Sequence, residues 1–189
     1  MESKSLALVA KAAVIAALYF VLTYFLAPIS FGPIQFRVSE ALMLLICLLP
    51  KSAMIGLPLG VCLANYFNPQ SLGVVDILGG TLASLLACVL TNWLFKRVKG
   101  QLSLEASGKM RAEIWKQAVF YLLPLPNVIC NGLIVGIYLT PLLQPNAPLS
   151  VYAINLLSFS LSEAGVVYLL GLPLLYALSS QKMVLGNEG

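Results

Sequence analysis

The 189-residue chain contains no histidine. That absence removes Ser-His-Asp and Cys-His nucleophilic chemistry, together with the commonest transition-metal ligand. Charge is almost as scarce: Asp, Glu, Lys and Arg make up 10% of the residues, against about 25% in soluble domains. Four cysteines, Cys47, Cys62, Cys88 and Cys130, lack C-x-x-C or other ligand spacing and read as packing residues, so no metal site is expected. There is no G-x-x-x-x-G-K-S/T phosphate loop and no G-x-S-x-G nucleophile turn. An intramembrane enzyme using Glu163 or Asp76 as general acid or base therefore has little chemistry to stand on. The first ten residues lack the small-residue pattern of a cleavable signal, and the apolar run after them is expected to be retained.

What the chain has in abundance is apolar sequence: 60% of residues are hydrophobic and the mean hydropathy is +0.93. This composition is that of an integral membrane protein. Apolar segments fall at about residues 6–27, 36–50, 52–67, 72–95, 113–140 and 150–178, separated by Pro, Gly, Asn or charge. They predict an all-α bundle of six transmembrane helices forming a single domain, residues 1–189. Ten of the eleven Lys and Arg residues lie in the N-terminal tail and start of the first span (Lys4, Lys11), at Lys51, within 96–116, or at Lys182. With six spans all of these fall on one side, which the positive-inside rule makes cytoplasmic, as are both termini. Arg37 alone falls on the other side.

Spans two and three are short. From Ser39 to Pro50 an α-helix rises only about 18 Å against a hydrocarbon core of about 30 Å. The connection before it, residues 29–36, is therefore expected to fold in below the outer surface, where irregular backbone must be covered by protein or line a cavity. Arg37 and Glu40 then sit at the rim or floor of an outward-facing cavity. An ionisable residue within a membrane span is a site hypothesis by default.

Asn65, Asn68, Asp76, Asn127, Asn131 and Glu163 could converge with that connection from other helices. Each has a plainer reading. Arg37 and Glu40, three apart, could neutralise one another. Asp76 lies where a helix dipole favours a carboxylate. Glu163, roughly 20 Å into span six, could be a protonated acid bonded to a neighbouring helix. Asn127 and Asn131 share a helix face just beyond Pro124-Leu-Pro126, where missing amide protons kink the helix. Asn155, Ser158 and Ser162 form a polar stripe beside Glu163, as ordinary interhelical hydrogen bonding also would. Three carboxylates, Glu40, Asp76 and Glu163, against Arg37 leave the site net negative. That disfavours phosphorylated or carboxylate ligands and suits one rich in N–H donors or carrying an ammonium. Gln35, Asn127 and Asn131 can donate and accept, while Phe31, Phe36, Tyr66 and Phe67 offer faces for stacking.

The run Phe31-Gly-Pro-Ile-Gln-Phe-Arg-Val-Ser-Glu-Ala-Leu42 resembles the first extracellular loop of the queuosine-precursor transporter family, substrate-binding subunits of energy-coupling-factor importers. The match is close over residues 28–42, with agreement in span number and length over most of the chain, and it marks Gln35, Arg37 and Glu40 as family-like positions. The resemblance implies uptake of 7-deazaguanines such as preQ0, preQ1 or queuine across a bacterial cell membrane. It also implies the partners: a transmembrane coupling subunit and two ATPase subunits, with ATP used there and no cofactor in this chain, and no nucleic acid. An alanine-rich face of the first helix, Ala12 with Ala16 and Ala13 with Ala17, is the implied docking face. Internal packing is the alternative, since Gly56/Gly60/Ala64 and Gly79/Ala83/Ala87 share that spacing. Rival functions are a subunit of the same class for another vitamin or nucleobase, the intramembrane enzyme above, and a secondary transporter. The last usually shows repeated halves with paired broken helices, and no such repeat occurs.

Overall fold

The computed structural model describes residues 2–30, 36–105 and 110–179, which form a helical bundle. Among the described residues there is no strand, only an antiparallel bridge between Leu104 and Met110. Four helical stretches are long and apolar enough to cross a membrane: Lys4–Phe25, Val74–Gln101, Ala118–Leu143 and Leu149–Ser179. The expected second and third spans are the shorter 3-10 helix Val38–Cys47 and the less apolar helix Pro50–Phe67.

Helix α1 (Glu2–Phe25) is followed by a single turn, α2 (Ala27–Ser30), and α1 packs along α3 (Pro50–Phe67). Glycines make this approach possible. A Cβ at Gly56 would lie 2.5 Å from the Ala12 carbonyl oxygen and 2.9 Å from Ile15 Cβ. One at Gly60 would lie 2.7 Å from Tyr19 Cβ and 3.0 Å from the Ala16 carbonyl oxygen. Ala12 and Ala16 are consequently buried at 4% and 3% exposure, which corrects the expectation that they face a partner: their close approach is to α3. Ala13 and Ala17 remain exposed on the opposite side of α1.

Residue numbers rise together along α1 and α3, from Ala12 at Gly56 to Phe20 at Phe67, whose ring centroids are 5.7 Å apart. Two parallel helices need a return path between them. The 3-10 helix Val38–Cys47 supplies it through the middle of the bundle, with Ser39 through Cys47 all buried. The sequence predicts an α-helix here. At about 2.0 Å per residue the tighter winding carries ten residues about 20 Å, where α-helical rise gives about 15 Å. Burial on every side explains why Leu42 to Cys47 has no polar face.

Helix α4 (Val74–Val98) runs back along α3 from Gly73, whose φ of 82° a side chain would disfavour. The fifth stretch is broken where the sequence predicts one helix over 113–140. Two 3-10 turns, Ala112–Lys116 and Ala118–Leu122, are separated by extended Gln117, and α5 (Leu125–Cys130) starts after Pro124. Prolines sit comfortably in that first turn because its amides need no intrahelical acceptor. A π turn, Asn131–Val135, leads into α6 (Gly136–Leu143). The last stretch has the same plan, α7 (Leu149–Val166), π turn Val167–Gly171 and α8 (Leu172–Ser179), and lies antiparallel to the fifth. Gly136 meets Leu156, and Asn155 Nδ2 donates to Thr140 Oγ1 at 3.1 Å. Gly171 backs onto the 3-10 helix, where an added Cβ would be 3.3 Å from the Ala41 carbonyl oxygen.

Candidate functional site

Glu40 leaves the first turn of the central 3-10 helix and is 1% exposed. Both of its carboxyl oxygens accept hydrogen bonds: Oε1 from the Tyr19 hydroxyl on α1, and Oε2 from Asn127 Nδ2 at 3.4 Å. The same Asn127 nitrogen donates to Glu163 Oε1 on α7. Asn131 Nδ2 donates to Asn127 Oδ1 at 3.1 Å, one turn along the same face. This chain fixes the amide orientation, since turning Asn127 over would set its oxygen against two carboxyl oxygens. Beside Tyr19, Thr23 donates to the Tyr19 carbonyl at 2.9 Å and its hydroxyl lies 2.6 Å from that of Ser39. One network thus joins α1, the 3-10 helix, the fifth stretch and α7.

These groups border a small, partly open cleft of about 20 Å³, lined by Arg37, Glu40, Asn131, Val135, Phe159 and Glu163. That is room for about one water molecule, so a larger solute enters only if the cleft widens. Arg37 is itself buried at 7% exposure. The two π turns flank the cleft: Asn131 opens the first, and Glu163 precedes the second by one turn. Such turns widen the backbone and recur at functional sites. The structure thus brings together Arg37, Glu40, Asn127, Asn131 and Glu163, all named from the sequence, and adds Tyr19, Val135 and Phe159, which were not.

Asn65 and Asp76 are buried but form a different cluster, and neither lines this cleft. Asp76 takes the plainer of its two readings, at the start of α4. Its Oδ1 accepts from the Tyr138 hydroxyl at 2.9 Å, and its Oδ2 from Leu72 N–H and Ser71 Oγ, both at 3.4 Å. Asn65 Nδ2 donates to the Asp76 carbonyl at 3.1 Å, pinning α3 to α4. Asn68 closes the turn after α3 by accepting from Gln70 N–H at 3.1 Å. Arg37 is within electrostatic reach of both clusters, of Glu40 in one and of Asp76 and Tyr138 in the other.

The aromatic expectation needs correction as well. Tyr66 and Phe67 are 66% and 54% exposed and join Phe20, Tyr24 and Phe25 in a cluster on the outside of α1 and α3, a place where aromatic rings suit the membrane interface. Phe159 is the aromatic residue lining the cleft, one turn before Glu163. Phe36 is half-buried with its ring close to Gly165. Gln35 and Phe31, with the rest of residues 31–35, lie outside the described residues, as does Lys182. All four cysteines are free.

Long apolar helices that enclose an arginine and two glutamates around a small cleft define a multi-pass membrane protein with a polar interior. The sequence relatives give that class a family. The chain belongs to the QueT transporter family, a family of transporters rather than enzymes, which matches residues 9–180. A protein of Lactococcus lactis subsp. cremoris (strain MG1363), described as "Queuosine precursor transporter QueT", is 39% identical over 89 residues, 46% of this chain and 50% of that relative. The match thus spans about half the length of the curated relative. No solved structure matches the chain.

Proposed function

We propose that this chain is the substrate-binding subunit of an energy-coupling-factor importer for queuosine precursors, 7-deazaguanines such as preQ0, preQ1 or queuine, in a bacterial cell membrane. Family membership and the description of the Lactococcus relative support the substrate class. The observation that carries the reading is Asn127 bonded to both Glu40 and Glu163 in a cleft that also holds Arg37. A deazaguanine edge offers a ring N–H and an exocyclic amine to a carboxylate, a carbonyl to Arg37 or an amide, and a flat face to Phe159. A phosphorylated ligand would meet more carboxyl groups than cations there.

On this reading the chain is one domain with six spans and both termini cytoplasmic. The parallel run of α1 and α3 supports the 3-10 helix as the second crossing, and the Lys and Arg residues near helix ends support the orientation. Gln35, a family-like position beside Arg37, is a further candidate for contact with the ligand. A coupling subunit and two ATPase subunits supply the energy, since the chain has no phosphate loop of its own. Within the alanine face, exposed Ala13 and Ala17 are the pair left to dock on the coupling subunit.

Binding decides the specificity. Purified protein titrated with preQ1, preQ0, guanine, thiamine and riboflavin is expected to bind deazaguanines most tightly. Tighter binding of either vitamin would assign the chain to another substrate within the same transporter class.

A further inference from the structure

The two carboxyl groups of the cleft stand closer than two negative charges in an apolar bundle remain unaided. A single amide nitrogen, Asn127 Nδ2, donates to both, which sets the two carboxyl groups side by side. Carboxyl groups at such spacing share a proton unless a cation joins them. Arg37 brings one positive charge to two carboxyl groups, and Asp76 is within its electrostatic reach as well. Among the described residues the remaining titratable neighbours add no cation: Tyr19 faces Glu40 from α1, Cys88 is within its electrostatic reach on α4, and Tyr138 on α6 is within reach of Arg37.

Both Glu40 oxygens already accept bonds, from Tyr19 and from Asn127, which leaves Glu163 the better placed of the two to carry the proton. From this geometry we infer that the empty cleft holds one proton on the Glu40–Glu163 pair, and that a ligand bearing an alkylammonium group displaces it. The exchange balances. A carboxylic acid bonded to a carboxylate becomes two carboxylates bridged by R–NH3+, one proton leaves to solvent, and the total charge of the site is unchanged. A neutral ligand gains nothing from the exchange and binds with the proton in place. The inference rests on the proposed deazaguanine ligand and divides that class in two: aminomethyl compounds such as preQ1 bind by cation-for-proton exchange, nitrile compounds such as preQ0 by hydrogen bonds alone.

Calorimetry of the purified full chain tests this, with preQ1 and preQ0 titrated at one neutral pH in buffers of different ionisation enthalpy. The preQ1 enthalpy is expected to follow the buffer with a slope of about one proton released per ligand, and the preQ0 slope to be about zero. Affinity for preQ1 rises with pH while that for preQ0 stays flat. In Glu163→Gln the preQ1 slope vanishes and its affinity falls by about 30-fold or more, while a cooperative thermal unfolding transition in detergent reports an intact fold. Binding of preQ1 with no buffer dependence in the wild type overturns the exchange and leaves the proposed function standing. Failure of both deazaguanines to bind overturns the proposed function and the exchange with it. Proton release that persists in Glu163→Gln removes Glu163 from the role.

Discussion

Asn127 ties the cleft together at the scale of a single side chain. Its one NH2 group serves two carboxyls while its oxygen receives Asn131. Asn127→Leu keeps similar volume but strips donors from Glu40 and Glu163 and the acceptor from Asn131. A buried polar group left unsatisfied costs about 1–3 kcal/mol, so thermal unfolding in detergent should report a loss of that order, with weaker deazaguanine binding. Unchanged melting and affinity would show these bonds to be inconsequential. Arg37→Ala acts on the ligand: dissociation should speed up on the order of tenfold, as loss of a buried charge contact falls mainly on the off-rate, and an unaltered off-rate would remove Arg37 from retention. Glu40, Asn131 and Glu163 were legible because a polar group in apolar sequence needs a partner. Tyr19 was legible too, though unread: Ala12, Ala16 and Tyr19 share one inward face, and a buried tyrosine hydroxyl seeks an acceptor. Val135 and Phe159 lie one turn from Asn131 and Glu163, so helical spacing could have found them. Tyr66 and Phe67 misled because an aromatic residue near a helix end serves a membrane interface as readily as a ligand.

Between elements, the tightest constraint is the α1–α3 seam, where glycine on one helix meets backbone and Cβ atoms on the other. Gly56→Ala should destabilise the fold by about 1–3 kcal/mol, the usual cost of overpacking, because the neighbours are the Ala12 carbonyl and Ile15 Cβ and cannot swing aside. Thermal unfolding checks this, and a melting temperature equal to wild type would mean the helices separate freely. The small-residue spacing that marks this seam was readable; which of two overlapping alanine pairs used it was not, since Ala12 and Ala13 differ only in the direction they point. The 3-10 winding of Val38–Cys47 escaped the sequence for another reason. An apolar segment buried on all sides has no amphipathic period by which to tell three residues per turn from 3.6. Breaks at Gln117 and the π turns were hidden likewise, although Pro124 and Pro126 did announce an interruption.

Across the whole molecule the network from α1 to α7 places a bond to the cleft and the outer surface of α1 on one helix. Tyr19 points inward to Glu40 while Ala13 and Ala17 point outward. If that outward pair docks on a coupling subunit, enlarging it must block association without touching the cleft. Ala13→Leu with Ala17→Leu adds bulk on the exposed side only, so deazaguanine affinity of the isolated chain should match wild type. Uptake by cells supplying the coupling and ATPase subunits should fall to background, because small residues are what let transmembrane helices approach closely. Ala12→Leu is the control with the opposite outcome. Its side chain meets α3, so stability should drop in the isolated chain before any partner is present. Normal uptake by the Ala13/Ala17 variant would detach the docking face from α1, and lost ligand binding in the same variant would mean that its exposed side supports the fold.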